Sequence, residues 1–445
     1  MMKKVLKEAQ RIVIPSKKIE QEKTKIARLA FELIYKETSK YPEIKEIEFG
    51  GSYPKGTWLP DKADIDIFIK FDLSTTEKRF SAIAKKIGFA ALKKYNPYVR
   101  FSEHPFVEAI INNTTVNVVP CYMVNKGKWK SAADRTQFHT EFMLENLSGP
   151  MKDNVRLLKL FLRNNGIYGA EISQQGFSGY VAEVLIWNFG SFEQVVHAIA
   201  KIKPEQVIGK ATKKFDTPIS IIDPIDTQRN LAAAISNESL GNFVLLCRNF
   251  LRNPSISYFK TKKRRTRNEL LKNCLILSFK YEQRSPDIIW GQIKRAASTL
   301  SIQFRLEGFK VIKTRVHTDE KKEAKIFFLL ESMTIPRYKV NEGPEFFNEY
   351  DCTKFIFENE EKSLSIWVDK NKKILSLEKR AEIDAQKFLS SLLKKRLDRS
   401  GIPKGIKKDI RKGFKVSVVG ASLNRSVKTQ LLELISTDAA IFSSD

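Results

Sequence analysis

The chain has 445 residues, 42% of them hydrophobic with 30 Phe, which excludes a disordered polypeptide and leaves room for two to four folded domains. Its 78 Lys and Arg against 51 Asp and Glu give a net charge of +27, so a polyanionic partner, nucleic acid first, is expected over a merely lysine-rich soluble surface. Four separated cysteines and four scattered histidines argue against a disulfide framework or a zinc site, and with no signal-type apolar start and no run of ~18 apolar residues, a cytoplasmic protein without a membrane segment is expected.

Residues 1–40 place apolar side chains at helical spacing, and EIKEIEFGG then reads as a strand running into glycines. In GGSYPKGTW, Gly50, Gly51 and Gly56 permit tight turns, while Ser52 and Lys55 can reach phosphate oxygens. The next strand, ADIDIFIKF, alternates, with Ile65, Ile67 and Ile69 on one face and Asp64, Asp66 and Phe68 on the other. Its two carboxylates lie roughly 6–7 Å apart along the strand, a costly arrangement beside an apolar core unless a cation sits between them. Taken singly, the glycine turn is an ordinary loop and the acids are edge-strand charges that oppose aggregation. Together they suit two-metal nucleotidyl transfer, in which carboxylate-held Mg²⁺ neutralises a triphosphate and activates an attacking hydroxyl. Glu77 to Lys94 reads as helix, and PFVEAIINN and TTVNVVPCY as strands, completing a mixed α/β unit to about residue 145.

From Asp153 to about Arg252 the pattern is helical: NVRLLKLFLRNNG, GFSGYVAEVLIWNFG and NLAAAISNESLGNFVLLCRNFL. The run YVAEVLIWNF carries Glu183 and reads as a buried helix. A basic connector, KTKKRRTR, follows and reads as a solvated linker. Two hairpins come next, GFKVIKTRVHT with KIFFLLES, and SLSIWVDK with ILSLEKR turning at Asn371-Lys372. Helical stretches complete an α+β unit whose segment from Lys394 to Lys415 holds ten Lys and Arg against Asp398 and Asp409.

The spacing G-S-x-x-x-G-T followed by D-x-D resembles the DNA polymerase β-type nucleotidyltransferase superfamily. FSEHPFVEA, VVPCY, KSAADRTQFH, VRLLKLFLRNNGIYGAE, GFSGY and DPIDTQRNLAAAIS together resemble archaeal (class I) tRNA CCA-adding enzymes over residues 40–260, with EGPEF a weaker echo beyond. That resemblance implies an α+β multidomain protein: a nucleotidyltransferase head of mixed sheet and helices (1–150), a helical neck (151–260) and an α+β body and tail (261–445) that binds tRNA. It implies template-independent addition of C, C and A to the tRNA 3′ end from CTP and ATP, with basic surfaces gripping the acceptor and TΨC arms. A homodimer is left open. Two alternatives remain: a poly(A) polymerase-like RNA-tailing enzyme, and a noncatalytic RNA-binding relative.

Carried over by resemblance, Asp64 and Asp66 match the first two metal-binding acids, and Ser52 and Lys55 match triphosphate contacts. Many relatives have Arg at the second of these, so Lys55 lacks a bidentate fork. His139, Lys159 and Tyr168 match positions near the nucleotide phosphates and ribose. Their plain readings are a satisfied histidine, a solvated lysine and a core tyrosine. Arg229, otherwise a surface charge in a loop, matches the arginine that helps select the incoming base.

One position departs from the family. The third carboxylate is expected on VNVVPCY, where this chain has Asn117. Val116 and Val118 face the core, so residue 117 points to the side of the paired acids. Asparagine is nearly isosteric with aspartate but neutral, a weak ligand for Mg²⁺. Either an Asp was replaced to stall catalysis, which the near-isosteric loss of charge favours, or this is a natural variant of low activity.

Overall fold

The structure is a computed structural model that describes residues 1–100, 105–261, 268–419 and 425–438, with side chains from 426 in the last segment. Phe101 to His104 of the FSEHPFVEA motif and most of the KTKKRRTR connector lie outside the described residues. The chain divides into two compact units, Met1–Lys263 with Thr437–Asp445, and Arg264–Ser436.

The first unit begins with α1 (Met2–Val13) and α2 (Lys17–Thr38), the latter capped by Ser16, whose hydroxyl accepts from the Ile19 amide. There follow β1 (Ile44–Gly50), the single turn α3 (Ser52–Lys55), β2 (Ile65–Phe71), α4 (Glu77–Ala91), β3 (Tyr98–Arg100), β4 (Phe106–Ile111) and β5 (Thr114–Tyr122). Among the described residues these strands form a five-stranded sheet in the order β1-β2-β5-β4-β3. The β2–β5 pair is parallel and the other pairs are antiparallel. A parallel pair requires a crossover, and α4 with the β3–β4 hairpin supplies it. Ile65, Ile67, Ile69, Val116 and Val118 are fully buried and pack with Ile26, Ala30 and Ile34 of α2 and Phe80, Ile83 and Ile87 of α4. One face of the sheet is thus sealed by helices. The other carries Asp66 and Asn117.

The remainder of this unit holds α5 (Thr136–Asn146), α6 (Gly149–Asn164), α7 (Gly179–Phe189), α8 (Phe192–Ala200), β6 (Gln206–Ile208), β7 (Ile219–Asp223), β8 (Asp226–Asn230) and α9 (Asn237–Arg252). Leu158, Phe161 and Leu162 of α6 pack with Ala182 and Leu185 of α7, Val195 of α8 and Phe243, Leu246 and Phe250 of α9. Ala9 and Val13 of α1 lie in this same core, not in that of the sheet. The helical reading of 153–252 overlooked the three-stranded β6-β7-β8 sheet, so Arg229 stands on a strand, not in a loop. The reason is local: β6 has three residues, and β8 (DTQRN) has no apolar residue to alternate.

The second unit contains β9 (Cys274–Lys280), α10 (Pro286–Glu307), β10 (Val311–Thr318), β11 (Glu323–Leu330), β12 (Tyr338–Glu345), α11 (Glu349–Asn359), β13 (Ser363–Val368), β14 (Lys373–Lys379), α12 (Ala385–Lys395), α13 (Lys404–Lys412), β15 (Phe414–Val418) and α14 (Arg425–Ile435). Both hairpins read from the sequence form, β10 with β11 and β13 with β14, and Lys372 turns with φ 67°. The sheet β10-β11-β9-β15 is covered on both faces: Leu275, Leu277 and Phe328 meet α10 and α12, while Ile276 and Phe327 meet Leu431 and Leu434 of α14. A separate sheet, β12-β14-β13, carries the remaining strands of this unit.

Candidate active site

β1 ends on Gly50, and Gly51 turns the chain with φ +69°, a conformation that side-chain-bearing residues rarely adopt. A Cβ at Gly51 would overlap the Asp66 Oδ2, so the absent side chain lets the turn lie against the aspartate. Ser52 opens α3. The segment leading into Asp64 is tethered by Lys23 of α2, whose Nζ donates to Ala63 O at 3.4 Å and Thr114 Oγ1 at 2.6 Å. These elements border a cleft of about 350 Å³ lined by Ser52, Asp64, Asp66, Lys159, Arg163 and Tyr168, among others. Five of the nine residues singled out in the sequence therefore share one cavity. Lys55, Asn117, His139 and Arg229 do not line it.

Asn117 adjoins the cleft from below. Parallel register sets it beside Asp66, and its Nδ2 donates to Asp66 Oδ1 at 2.8 Å, while its own Oδ1 is buried without a hydrogen-bond partner. Burial pushes the Asp66 carboxyl up to about 6, the neighbouring Asp64 charge adding to the rise against the amide hydrogen bond. An aspartate so raised is a group that a divalent cation would return to its ionised form. The donor set of two carboxylates and an amide oxygen suits a hard, oxygen-seeking cation. Among the described residues no three His, Cys, Asp or Glu side chains gather closely enough to hold a metal ion.

Lys55 points away from the cleft. Its ammonium is buried against Glu183 of α7, which also accepts from Thr57 Oγ1 at 2.5 Å and from Lys159 Nζ at 3.0 Å. Lys159 donates to Thr57 O at 3.1 Å as well. Burial alone would raise the Glu183 carboxyl, but the Lys55 and Lys159 ammoniums outweigh it and hold the group at about 2. The turn is thereby bolted to α6 and α7. Gly179 opens α7 so closely that a Cβ there would lie 3.0 Å from the Tyr168 hydroxyl and 3.3 Å from Lys159 Nζ. Burial pushes the Tyr168 phenol up, which keeps it a neutral donor.

His139 and Arg229 meet at a second centre, the fully buried Asp223 that ends β7. Asp223 Oδ2 lies 3.0 Å from His139 Nε2 and accepts from Arg229 Nη1 at 3.0 Å, and Oδ1 accepts from the Tyr180 hydroxyl at 3.0 Å. The Tyr180 ring stacks on His139 at 3.9 Å, and Lys55 Nζ lies 5.6 Å from its centroid, linking the two centres. Sequence reasoning passed over Asp223, Tyr180 and Thr57. A lone acid closing the apolar strand ISIID was a signal for the first, as Glu183 in an apolar helix was for the lysine pair.

A mixed sheet that carries a glycine-serine turn beside paired aspartates defines a nucleotidyltransferase, and residues 32–140 match the family model described as the nucleotidyltransferase domain. Residues 153–260 match that of the tRNA nucleotidyltransferase second domain, and 272–419 that of the CCA-adding enzyme C-terminal domain. The chain belongs to the CCA-adding enzyme family. It is 35% identical over 348 residues to the CCA-adding enzyme of Pyrobaculum islandicum, covering 77% of this chain and 82% of that protein. It is also 35% identical over 345 residues to that of Saccharolobus islandicus, with the same coverage. Among solved structures, the Cid1 poly(U) polymerase aligns at a TM-score of 0.43 and 14% identity, over 58% of this chain and 98% of its own. No helix among the described residues is long and apolar enough to cross a membrane.

Proposed function

We propose that this tRNA nucleotidyltransferase adds C, C and A to the tRNA 3′ end from CTP and ATP by two-metal nucleotidyl transfer, and that Asn117 slows the chemical step. The observation carrying this reading is the convergence of Asp64, Asp66 and Ser52 with Lys159 and Tyr168 on one cleft. Asp64 and Asp66 would hold Mg²⁺, which supplies charge neutralisation at the triphosphate and at the attacking 3′-hydroxyl. Ser52 and the turn amides receive a phosphate oxygen, with Lys159 and Tyr168 donating from the opposite wall. Lys55 acts from beneath: it is bound to Glu183 and fixes the turn. Arg229, oriented by Asp223, reads the edge of the incoming base, and cations of the second unit meet tRNA phosphates.

Asn117 donates a hydrogen bond where a carboxylate would add charge, so nucleotide binding is retained while the hydroxyl is poorly activated. The test is incorporation of labelled CTP and ATP into tRNA lacking CCA, comparing this chain with Asn117→Asp. Slow addition by the first and fast addition by the second are expected; absence of addition by both overturns the reading. Addition of ATP alone to any RNA end would favour a tailing enzyme.

A further inference from the structure

Asn117 has two cross-strand neighbours. Asp66 of β2 stands on one side, and Glu108 of β4 stands on the other in antiparallel register. Directly paired residues point to the same face of a sheet, so Asp66, Asn117 and Glu108 form a row across three strands. The flanking positions confirm the face: Val107, Ala109, Val116 and Val118 are buried in the helix-covered core on the opposite side. Strands lie about 4.8 Å apart, which puts the outer backbones of the row roughly 9–10 Å from each other. A glutamate is one methylene longer than an aspartate and reaches back along such a row.

Two further features distinguish Glu108 from an ordinary acid on the solvent face of a sheet. Between it and Asp66 in the row stands Asn117, whose Oδ1 is buried without a hydrogen-bond partner among the described residues. Its own partners are on β3: Glu108 accepts from the Tyr98 hydroxyl and pairs with Arg100 Nε at 3.4 Å, the Glu108 side chain being 13% and the Arg100 side chain 50% exposed. A pair with so exposed an arginine is weakly held.

We propose that Glu108 supplies the third anionic group of the metal site, delivering from β4 the charge that Asn117 does not provide on β5. The inference rests on the two-metal reading above. With Asn117 in place, such incorporation as the chain performs depends on Glu108; with an aspartate at that position it does not. Arg100 and Tyr98 of β3 hold the carboxylate on the side of Glu108 away from Asn117, from where it would turn inward to a cation bound with the nucleotide.

Four chains decide this: the Asn117 chain as it stands, Glu108→Gln, Asn117→Asp and the double variant, each checked for an unchanged circular-dichroism spectrum and a single cooperative unfolding transition. Mn²⁺ is titrated by electron paramagnetic resonance in the presence of a non-hydrolysable CTP analogue, and single-turnover incorporation into tRNA lacking CCA is measured alongside. Glu108→Gln is expected to weaken or remove the second Mn²⁺ and to slow incorporation on the order of 10²-fold in the Asn117 background, yet by less than about 3-fold in the Asn117→Asp background. Arg100→Ala removes the edge pair but keeps the carboxylate, and is expected to leave the Mn²⁺ count unchanged. Equal losses from Glu108→Gln in both backgrounds, or an undiminished Mn²⁺ count in the Asn117 one, would overturn the proposal and leave Glu108 as the partner of Arg100 and Tyr98 alone. If Asn117→Asp adds no nucleotide, the nucleotidyl-transfer reading fails, and the Mn²⁺ count alone then decides Glu108.

Discussion

The Asn117 amide donates to Asp66 Oδ1 at 2.8 Å, across the parallel pair at the middle of the sheet. That bond stabilises the ionised aspartate in the absence of metal. Asn117→Asp replaces a donor with a second charge against a buried carboxylate, so the metal-free protein should lose thermal stability. Mg²⁺ should close the gap between the two melting temperatures, while incorporation rises by 10²-fold or more. Equal melting temperatures with and without Mg²⁺ would remove metal binding from the account.

Glu183 is 1% exposed and serves two buried ammoniums. Glu183→Gln leaves Lys55 and Lys159 without a countercharge and should cost about 3–5 kcal/mol, read as a lowered urea midpoint. Its folded-state value of about 2 lies below the ordinary 4.5, so this contribution is fully present above about pH 4.5 and is lost as pH falls towards 2. An acid-unfolding curve for the Gln variant should lack that part of the slope.

Arg229 is oriented by a single buried carboxylate. Arg229→Ala should therefore impair nucleotide choice more than tRNA affinity, with discrimination against UTP and GTP falling by about 1–3 kcal/mol, by analogy with base-edge readout. Asp223→Asn, which loosens the arginine without removing it, should give a smaller loss in the same direction. Unchanged rejection of UTP and GTP would remove Arg229 as the selector.

The cation-rich segment from Lys394 to Lys415 is not uniform. Arg411 pairs with Asp398, Lys407 donates to Asp398 O, and Lys408 and Lys412 pair with Glu282. Lys394, Lys395, Lys404 and Lys415 are exposed and make no ion pair among the described residues. Replacing these four with Gln should weaken tRNA binding and flatten its dependence on salt, by roughly 0.7–0.9 in logarithmic slope for each phosphate left unneutralised. The same exchange at Lys408 and Lys412 should change the slope less.

The strands of the head were legible because Ile65, Ile67 and Ile69 alternate with polar or exposed positions, and the glycine turn and paired acids stood close together along the chain. The hairpins of the second unit were legible because each pairs two apolar runs that follow one another across a short polar turn. β9 went unread because it is buried on both faces and, unlike β11, pairs with strands that do not adjoin it in the chain. The Glu183 cluster was illegible for a different reason: Lys55 and Glu183 are 128 residues apart, and only the packing of α7 against the turn brings them together. Lys55 thus looked like a phosphate ligand from the spacing of its neighbours, whereas its ammonium is buried in the protein.

α1 buries Ala9 and Val13 against α6 and the turn Ile256–Phe259, not against the sheet that follows it in the chain. A ribosome therefore extrudes α1 some 240 residues ahead of part of its own docking surface. At 5–20 residues per second, that interval is roughly 12–50 s. During it the five-stranded sheet can pair from residues already synthesised, while α1 has at most α6 to pack against. The N-terminal dozen residues thus find their full docking surface only once the helical region has been synthesised.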